Sequence, residues 1–191
     1  AERLLDGLDR IDWPDPLKEM QRNWIGKSVG LVVEFDVKNY DFTIETFTTR
    51  PDTIFGVTFL TLAPEHHLTK LITQPKFKKS VLDYIESSRK KTERERISDT
   101  KTISGVFTGS FAMHPVSGEE LPIWISDYVL SGYGTGAVMA VPCGDQRDHD
   151  FAKHFNLPIK NIFKEIEVST QAFQDKSGFT LKESFELNGL E

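Results

Sequence analysis

The chain has 191 residues, of which 38% are hydrophobic and 27% are charged, which is typical of a globular domain with a sizeable core and excludes a largely disordered chain. Its net charge of −6 excludes a protein that coats nucleic acid through its overall field, so any contact with nucleic acid is expected to be small and local. The single cysteine, Cys143, excludes an internal disulfide, and the lack of a long apolar run or signal peptide predicts a cytoplasmic protein without a membrane segment.

The first part of the chain predicts an N-terminal helix and then a β-hairpin. Four apolar residues recur at helical spacing, namely Leu4, Leu5, Leu8 and Ile11. Two prolines follow and predict a linker or turn, so we expect residues 1–28 to form a helix and linker that lead into a domain over residues 29–191. Apolar residues alternate over residues 29–37 and again over residues 42–49, with a turn between them, which predicts a hairpin.

The rest of the chain alternates between strand and helix signals. A strand over residues 57–63 is expected to precede a short helix, and residues 76–97 have the pattern of a surface helix or helix pair. The mixed charges of the run RKKTERER in that segment predict a solvated face. Later strands are expected over residues 105–114, 121–130, 137–141 and 161–168. The predicted fold is therefore mixed α/β and dominated by strands.

A glycine-rich turn, GYGTGA, leads into the third of these later strands, and a helix is predicted soon after it. Asp145 is placed to cap this helix and Asp148 follows three residues later, as in a capping box. On position alone, Asp148 is an acidic residue in the first turn of a helix, where the helix dipole stabilises it.

The sequence predicts neither a metal site nor a cofactor. None of the five histidines has the spacing that would place two of them on one helix face, and no carboxylate template accompanies them. The glycine-rich turn precedes a strand, whereas a dinucleotide fingerprint follows a strand and opens a helix. Cys143 is expected to be a small buried hydrophobe instead of a nucleophile.

Two sets of motifs about 80 residues apart make the sequence similar to a known family. The runs TTRPDT and LAPEH, followed by YGTGAVMAVP and DQRD, resemble the editing domain inserted in leucyl-tRNA synthetases of bacterial or organellar type. The entry segment WPDPLKEMQRNWIGKS and the exit FELNGL extend the resemblance over nearly the whole chain. Signatures of the aminoacylation site, of the HIGH and KMSKS types, are absent from this sequence.

The resemblance implies a fold, a reaction and a partner. The fold is the editing-domain fold of valyl-, isoleucyl- and leucyl-tRNA synthetases, with a β-barrel-like core and peripheral helices. The reaction is hydrolysis of the ester in tRNA(Leu) that carries norvaline, isoleucine or methionine, while leucine is excluded. The implied partners are the aminoacylated 3′ end of tRNA(Leu) and, in cis, the rest of the synthetase, and the fragment is expected to be a monomer.

The resemblance also assigns roles to single residues. Thr53 forms a wall against the branched side chain of leucine, because a β-branched residue has a stiff χ1. Asp148 binds the α-ammonium group of the substrate, and the hydroxyls of Thr48 and Thr49 lie near the ester and the ribose. The catalytic set is thus Thr48, Thr49 and Asp148. The expected substrate-binding set also contains Thr53, Arg50, Tyr133, Met139, Val141 and Asp145, with Arg50 facing the tRNA end or Asp145.

One departure from the family pattern leaves alternatives open. Many relatives have a small residue and then a histidine before DQRD, whereas this chain has Cys143-Gly144. No catalytic histidine is therefore assigned, and the general base stays open. The alternatives to a leucyl-type hydrolase are a catalytically weak module that binds the aminoacyl-adenosine end of tRNA, and a valyl- or isoleucyl-type editing domain.

Overall fold

The computed structural model describes residues 2–26, 28–98, 102–132, 134–175 and 180–182. It divides into two compact units, residues 1–30 and residues 31–191. In the first unit, two helices pack together, with Leu8 buried and an ion pair between Asp9 and Arg22. These helices are α1 (Glu2–Arg10) and α2 (Asp15–Ile25). The predicted linker is thus short, because Pro14 directly precedes α2 and has the fixed φ that suits a helix start.

The second unit begins with the predicted β-hairpin. Strands β1 (Leu31–Asp36) and β2 (Thr43–Thr48) pair in antiparallel register, with Phe35 opposite Ile44. Both of these side chains are fully buried, whereas most of their neighbours along the strands are exposed. The period-two pattern therefore identified the buried face around Phe35 and Val37, whereas Val29 and Leu31, at alternate positions before them, are exposed.

The remaining elements build a four-stranded sheet with helices around it. The strands are β3 (Phe59–Leu62), β4 (Val106–Met113), β5 (Glu120–Ile125) and β6 (Ala137–Ala140). The helices are α3 (Thr69–Ile72), α4 (Lys78–Arg89), α5 (Glu93–Ser98) and α6 (Gln146–His154), with 3-10 helices at Pro51–Gly56 and Pro75–Phe77. The sheet has the order β4-β5-β3-β6, with β3 parallel to β5 and antiparallel to β6.

The fold is mixed α/β, but the expected strand-dominated, barrel-like core is not confirmed. In the described part of the chain the strands form two separate sheets, and helices cover more residues than strands do. The hairpin contacts β6 through β2, and it meets β4 through the isolated bridge between Val37 and Ala112. Because a barrel needs a hydrogen-bonded ladder around its whole circumference, these contacts do not close one.

One predicted strand is wrong. Residues 161–168 form turns and irregular backbone with a single bridge, between Phe163 and Leu181. The side chain of Asn161 explains the break, since it bonds the backbone at Phe163 (2.9 Å) and Ile166 (2.7 Å) and so bends the chain onto itself.

The core of the second unit lies between the sheet, the hairpin and the segment around Phe163. Its fully buried side chains include Phe35 and Phe163, whereas Phe59 and Phe151 form a second, smaller cluster with Ala140 and Ala152. No described helix is both long and apolar enough to cross a membrane. The boundary predicted after residue 28, between the N-terminal helix and linker segment and the editing domain, stays a prediction.

Candidate functional site

The threonine-rich segment sits where the hairpin turns into the core. β2 ends at Thr48, whose hydroxyl accepts a hydrogen bond from the backbone N–H of Arg50 (3.0 Å), and Pro51 begins a 3-10 helix. Thr53 lies in that helix with 5% of its surface exposed, and its hydroxyl donates to the carbonyl of Arg50 (2.8 Å). This bond and the β-branched Cβ together hold one rotamer, so the methyl group of Thr53 has a fixed direction. Thr49 is exposed.

Arg50 pairs within its own segment. Its Nε donates to both carboxylate oxygens of Asp52 (3.0 and 3.1 Å), and a terminal nitrogen forms an ion pair with Asp52 Oδ2 (2.7 Å). The resemblance implied Asp145 or the tRNA end as the partner of this guanidinium group, and Asp52 was not among the expected partners. The pair is half-buried and stiffens the turn in front of Thr53.

The glycine-rich turn positions β6. Gly136 has a φ of 71°, and a Cβ at this position would lie 3.3 Å from Cδ2 of His66, so a larger residue would be strained and crowded. Met139 and Val141, two of the expected substrate-binding residues, are buried in the main core. Tyr133, a third, lies outside the described residues.

The N-terminus of α6 has the predicted cap but not the predicted capping box. The carboxylate of Asp145 accepts from the backbone N–H groups of Arg147 (2.8 Å) and Asp148 (3.2 Å). A capping box would require Asp148 to bond the N–H of Asp145, but that N–H donates to the carbonyl of Val141 (2.9 Å). The capping-box prediction is therefore wrong, and the carboxylate of Asp148 is directed elsewhere.

Asp148 is a buried carboxyl group with neutral hydrogen-bond partners. Only 4% of its surface is exposed. Its Oδ2 accepts from the backbone N–H of Val141 (2.8 Å), and its Oδ1 accepts from the hydroxyl of Tyr128 (3.0 Å). Burial, followed by the nearby charge of Asp145, raises the pKa of Asp148 to about 7, although both hydrogen bonds and Arg147 oppose this shift. The site thus contains a carboxyl group whose ionised form a cation bound next to it would stabilise.

An open cavity with a volume of about 250 Å³ adjoins this carboxyl group. It is lined by Tyr128, Val129, Leu130, Val138, Asp145, Arg147 and Asp148. Two of the predicted site residues, Asp145 and Asp148, are therefore brought together at one cavity. Thr48, Thr49, Thr53, Met139 and Val141 are not part of this lining.

Cys143 is the common neighbour of the two halves of the predicted site. A Cβ on Gly56, the last residue of the Thr53 helix, would lie 2.9 Å from the Cys143 sulfur and 3.0 Å from Val141 Cγ1. Burial raises the pKa of the Cys143 thiol, the Asp148 carboxylate adds to this shift, and the Arg50 guanidinium opposes it. Both the 3-10 helix that contains Thr53 and the start of α6 are therefore close to Cys143.

Arg96 of α5 is a structural residue that the sequence analysis misjudged. It belongs to the run RKKTERER, which was predicted to be a solvated face, yet its side chain is buried. Its guanidinium donates to the carbonyls of Asp127 (2.7 Å) and Val129 (2.8 Å) and pairs with Glu65 (2.9 Å). A run of mixed charges does not indicate which basic side chain points into the protein. Here Arg96 does, and it holds the loop that carries Tyr128.

Two further residues touch the predicted site, and neither was predicted from the sequence. Tyr128 bonds Asp148, and His114 bonds the carbonyl of Ile54 (2.9 Å) in the Thr53 helix. Nδ1 of His114 accepts from the backbone N–H groups of Val116 (3.2 Å) and Ser117 (3.1 Å), so Nε2 carries the proton that is donated to Ile54. The described residues contain no cluster of histidine, cysteine or acidic side chains that could hold a metal ion.

Comparisons with known proteins agree on one family. Residues 22–191 match the family described as "Leucyl-tRNA synthetase, editing domain". The leucine–tRNA ligase of Christiangramia forsetii is 61% identical over 191 residues, which is 100% of this chain and 20% of that protein. The leucine–tRNA ligase of Flavobacterium johnsoniae is 60% identical over 195 residues, again 100% of this chain and 20% of the relative.

A solved structure gives the same result. The chain aligns with the LeuRS of Agrobacterium radiobacter in a crystal structure of a ternary complex with tRNA and LeuAMS, with a TM-score of 0.72 and 40% identity. The alignment covers 87% of this chain and 20% of that one. The chain thus spans about a fifth of the length of these relatives. It belongs to the editing-domain family of leucyl-tRNA synthetases.

Proposed function

We propose that this chain is a post-transfer editing site that hydrolyses the ester of tRNA(Leu) charged with norvaline, isoleucine or methionine and spares leucyl-tRNA(Leu). A synthetic site separates amino acids that differ by one methylene by only about 1–3 kcal/mol, so accuracy requires a second site that removes the errors. Membership of the editing-domain family supports this role.

The observation that carries the proposal is the buried carboxyl group of Asp148 at the wall of the cavity. Its hydrogen-bond partners, the Val141 N–H and the Tyr128 hydroxyl, are both neutral. An ionised carboxylate in such a place is poorly solvated and has neither direct partner charged, so burial raises its pKa although the charge of Arg147 lowers it in part. Every aminoacyl ester carries an α-ammonium group, which would supply that cation and gain a charge-assisted hydrogen bond of about 1.5–3 kcal/mol.

Rejection of leucine is assigned to Thr53. The bond from its hydroxyl to the Arg50 carbonyl holds the side chain in one rotamer, so its methyl group can act as a rigid wall. A straight side chain such as norvaline would pass this wall, whereas the branched γ-carbon of leucine would collide with it. This is a steric mechanism, and it works only if Thr53 does not rotate.

The reaction requires no covalent enzyme intermediate. A water oxygen attacks the ester carbonyl, the bond to the ribose oxygen breaks, and that oxygen takes up a proton, which releases the amino acid and tRNA. Hydroxyl groups of Thr48 and Thr49, together with backbone N–H groups, would position the water and stabilise the developing oxyanion. Arg50, Asp145, Met139, Val141 and Tyr133 are proposed to hold the terminal adenosine and ribose, where single-stranded bases are bound by stacking and backbone bonds.

Two alternatives predict different behaviour. A catalytically weak binding module would hold a non-hydrolysable norvalyl-adenosine analogue without cleaving the ester, and the Cys143-Gly144 pair is the feature that suggests it. A valyl- or isoleucyl-type editing domain would prefer valyl or threonyl esters. The family match and the identity to leucine–tRNA ligases favour the leucyl type.

The test is deacylation of norvalyl-tRNA(Leu) by the wild-type chain and by the Asp148→Asn variant. The proposal expects norvaline release well above the uncatalysed rate in the wild type. The variant should lose about tenfold or more in kcat/KM, because the ammonium group loses a charged partner worth about 1.5–3 kcal/mol. Asp150→Asn changes a half-exposed carboxylate on the same helix and is the matched control. Equal rates in all three proteins would remove Asp148 from the site.

A further inference from the structure

We propose that Tyr128 is a positioning residue for Asp148, whose hydroxyl holds the carboxyl group in both of its protonation states and so sets the pH range in which the site binds an ammonium group. This inference rests on the proposed function, since it concerns the carboxyl group that is assigned to the substrate ammonium.

The hydroxyl of Tyr128 has two hydrogen-bond partners, one a carboxyl group that can be ionised and the other a neutral hydroxyl group. Its oxygen lies 3.0 Å from Asp148 Oδ1 and 3.2 Å from the hydroxyl oxygen of Thr61 in β3. One O–H group has one proton, so it donates fully to only one of them at a time. When Asp148 is ionised, the tyrosine donates to the carboxylate. When Asp148 is protonated, the carboxyl group can donate to the tyrosine oxygen while the tyrosine donates to Thr61.

The second carboxyl oxygen decides where the proton resides. Oδ2 of Asp148 accepts from the backbone N–H of Val141 (2.8 Å), and a backbone N–H has no alternative role. The proton of the neutral form is therefore carried by Oδ1, the oxygen that faces Tyr128. Both protonation states are satisfied without any movement of heavy atoms, which explains how a carboxyl group can titrate inside the protein.

The surroundings keep the tyrosine hydroxyl in place. The carbonyls of the two neighbours of Tyr128, Asp127 and Val129, both accept from the buried Arg96 guanidinium. The ring of Tyr128 packs against Phe151 of α6, with centroids 5.8 Å apart and an interplanar angle of 65°. Burial, followed by the Asp148 charge, raises the pKa of Tyr128 well above its ordinary value, so the hydroxyl keeps its proton.

Few groups around Asp148 favour its ionised form. Asp145, on the same helix, favours the protonated form, whereas Arg147 and the two hydrogen bonds favour the carboxylate. Thr61 from β3 is uncharged, and the thiol of Cys143 also interacts with Asp148. Loss of the Tyr128 hydroxyl removes one of the two direct donors found among the described residues, so the carboxyl group should hold its proton to higher pH.

The test is Tyr128→Phe, which keeps the ring that packs on Phe151 and removes only the hydroxyl. The titration of Asp148 is followed in the 191-residue chain by carbon-detected NMR of its carboxyl carbon, assigned by comparison with Asp148→Asn. The hydrogen bond of Tyr128 is stronger to the carboxylate than to the neutral carboxyl group by about 1–1.5 kcal/mol, so the midpoint should rise by about 1 pH unit. The acid limb of kcat/KM for norvalyl-tRNA(Leu) should move by the same amount, with a loss of about fivefold or more at pH 7 that is recovered at higher pH.

Tyr84→Phe is the matched control. The Tyr84 hydroxyl accepts from the backbone N–H of Asp127 (3.0 Å) and bonds Ser104 (2.8 Å), so it anchors the same loop without touching Asp148. This variant should leave the titration midpoint of Asp148 unchanged. An unchanged midpoint in Tyr128→Phe, or an equal shift in both variants, would overturn the proposal. If the wild type cleaves no ester but the midpoint still moves in Tyr128→Phe alone, the proposed function fails and the role of Tyr128 in holding the carboxyl group stands.

Discussion

The substitution Asp148→Asn should make the fold more stable at neutral pH. In the wild type, burial raises the pKa of Asp148 from 3.8 to about 7, which means that the folded protein binds this proton more tightly than the unfolded chain does. The free energy of unfolding therefore carries no penalty from this group below about pH 4, falls as the pH rises from about 4 to 7, and is constant above that. One pKa unit corresponds to about 1.4 kcal/mol, so the full penalty is about 4 kcal/mol.

An asparagine fits the same contacts without the charge. Its Oδ1 can accept from the Val141 N–H, and its amide group can donate to the oxygen of Tyr128, whose own proton then goes to Thr61. The unfolding free energy of the variant should therefore rise relative to that of the wild type as the pH increases. Between pH 5 and pH 8 the expected gain is about 2–3 kcal/mol.

The assay is urea unfolding of both proteins at pH 5, 6, 7 and 8, with Asp150→Asn as the control. Asp150 lies on the same helix and is 47% exposed, so its replacement should give a difference from the wild type that stays constant over this range. A difference between wild type and Asp148→Asn that does not change with pH would show that Asp148 is already ionised at pH 5. That result would refute the inference that burial raises the pKa of Asp148.

Two further predictions concern the supports of the site, and both are read from urea unfolding at one pH. Arg96→Met should lower the free energy of unfolding by about 3 kcal/mol, because it removes a buried guanidinium that donates to the carbonyls of Asp127 and Val129 and pairs with the partly exposed Glu65, whereas the exposed Arg89→Met should change it by less than about 0.5 kcal/mol. A small loss for Arg96→Met would mean that the loop does not depend on the guanidinium. Gly56→Ala should cost about 1–3 kcal/mol because its Cβ would meet the Cys143 sulfur at 2.9 Å. Adding Cys143→Ala should restore part of this loss of stability. Gly7→Ala is the control and should cause no loss, because there is open space around its Cβ. If Cys143→Ala leaves the loss at Gly56 unchanged, the strain lies elsewhere.

Sequence patterns predicted those helices and strands that depend on residues close together in the sequence. The hairpin followed from alternating apolar residues, and the start of α6 followed from the capping side chain of Asp145, because each depends on residues a few positions apart. The TTRPDT motif indicated the turn at Thr53 because its residues are also close together in the sequence. Periodicity alone did not reveal that the side chain of Asn161 interrupts an expected strand.

The contacts that determine the chemistry of Asp148 come from distant parts of the chain. Tyr128 lies 20 residues before Asp148 and was predicted to be part of a strand, while Arg96 lies 31 residues before the loop carbonyl that it holds. Neither contact leaves a periodic or motif-like signal in the sequence. The direction of the Asp148 carboxylate also depends on tertiary structure, since a capping box and an inward-facing carboxylate have the same sequence pattern.

The proposed specificity depends on a rigid threonine methyl at position 53 that keeps leucine out of a hydrolytic site. It is tested most directly by measuring deacylation of leucyl- and norvalyl-tRNA(Leu) by the wild type, Thr53→Val and Thr53→Ala. The wild type is expected to cleave norvalyl-tRNA(Leu) about 10- to 200-fold faster than leucyl-tRNA(Leu). Thr53→Val should keep this preference, and Thr53→Ala should lose it by cleaving leucyl-tRNA(Leu). A Thr53→Ala variant that still spares leucyl-tRNA(Leu) while it cleaves norvalyl-tRNA(Leu) would contradict the claim.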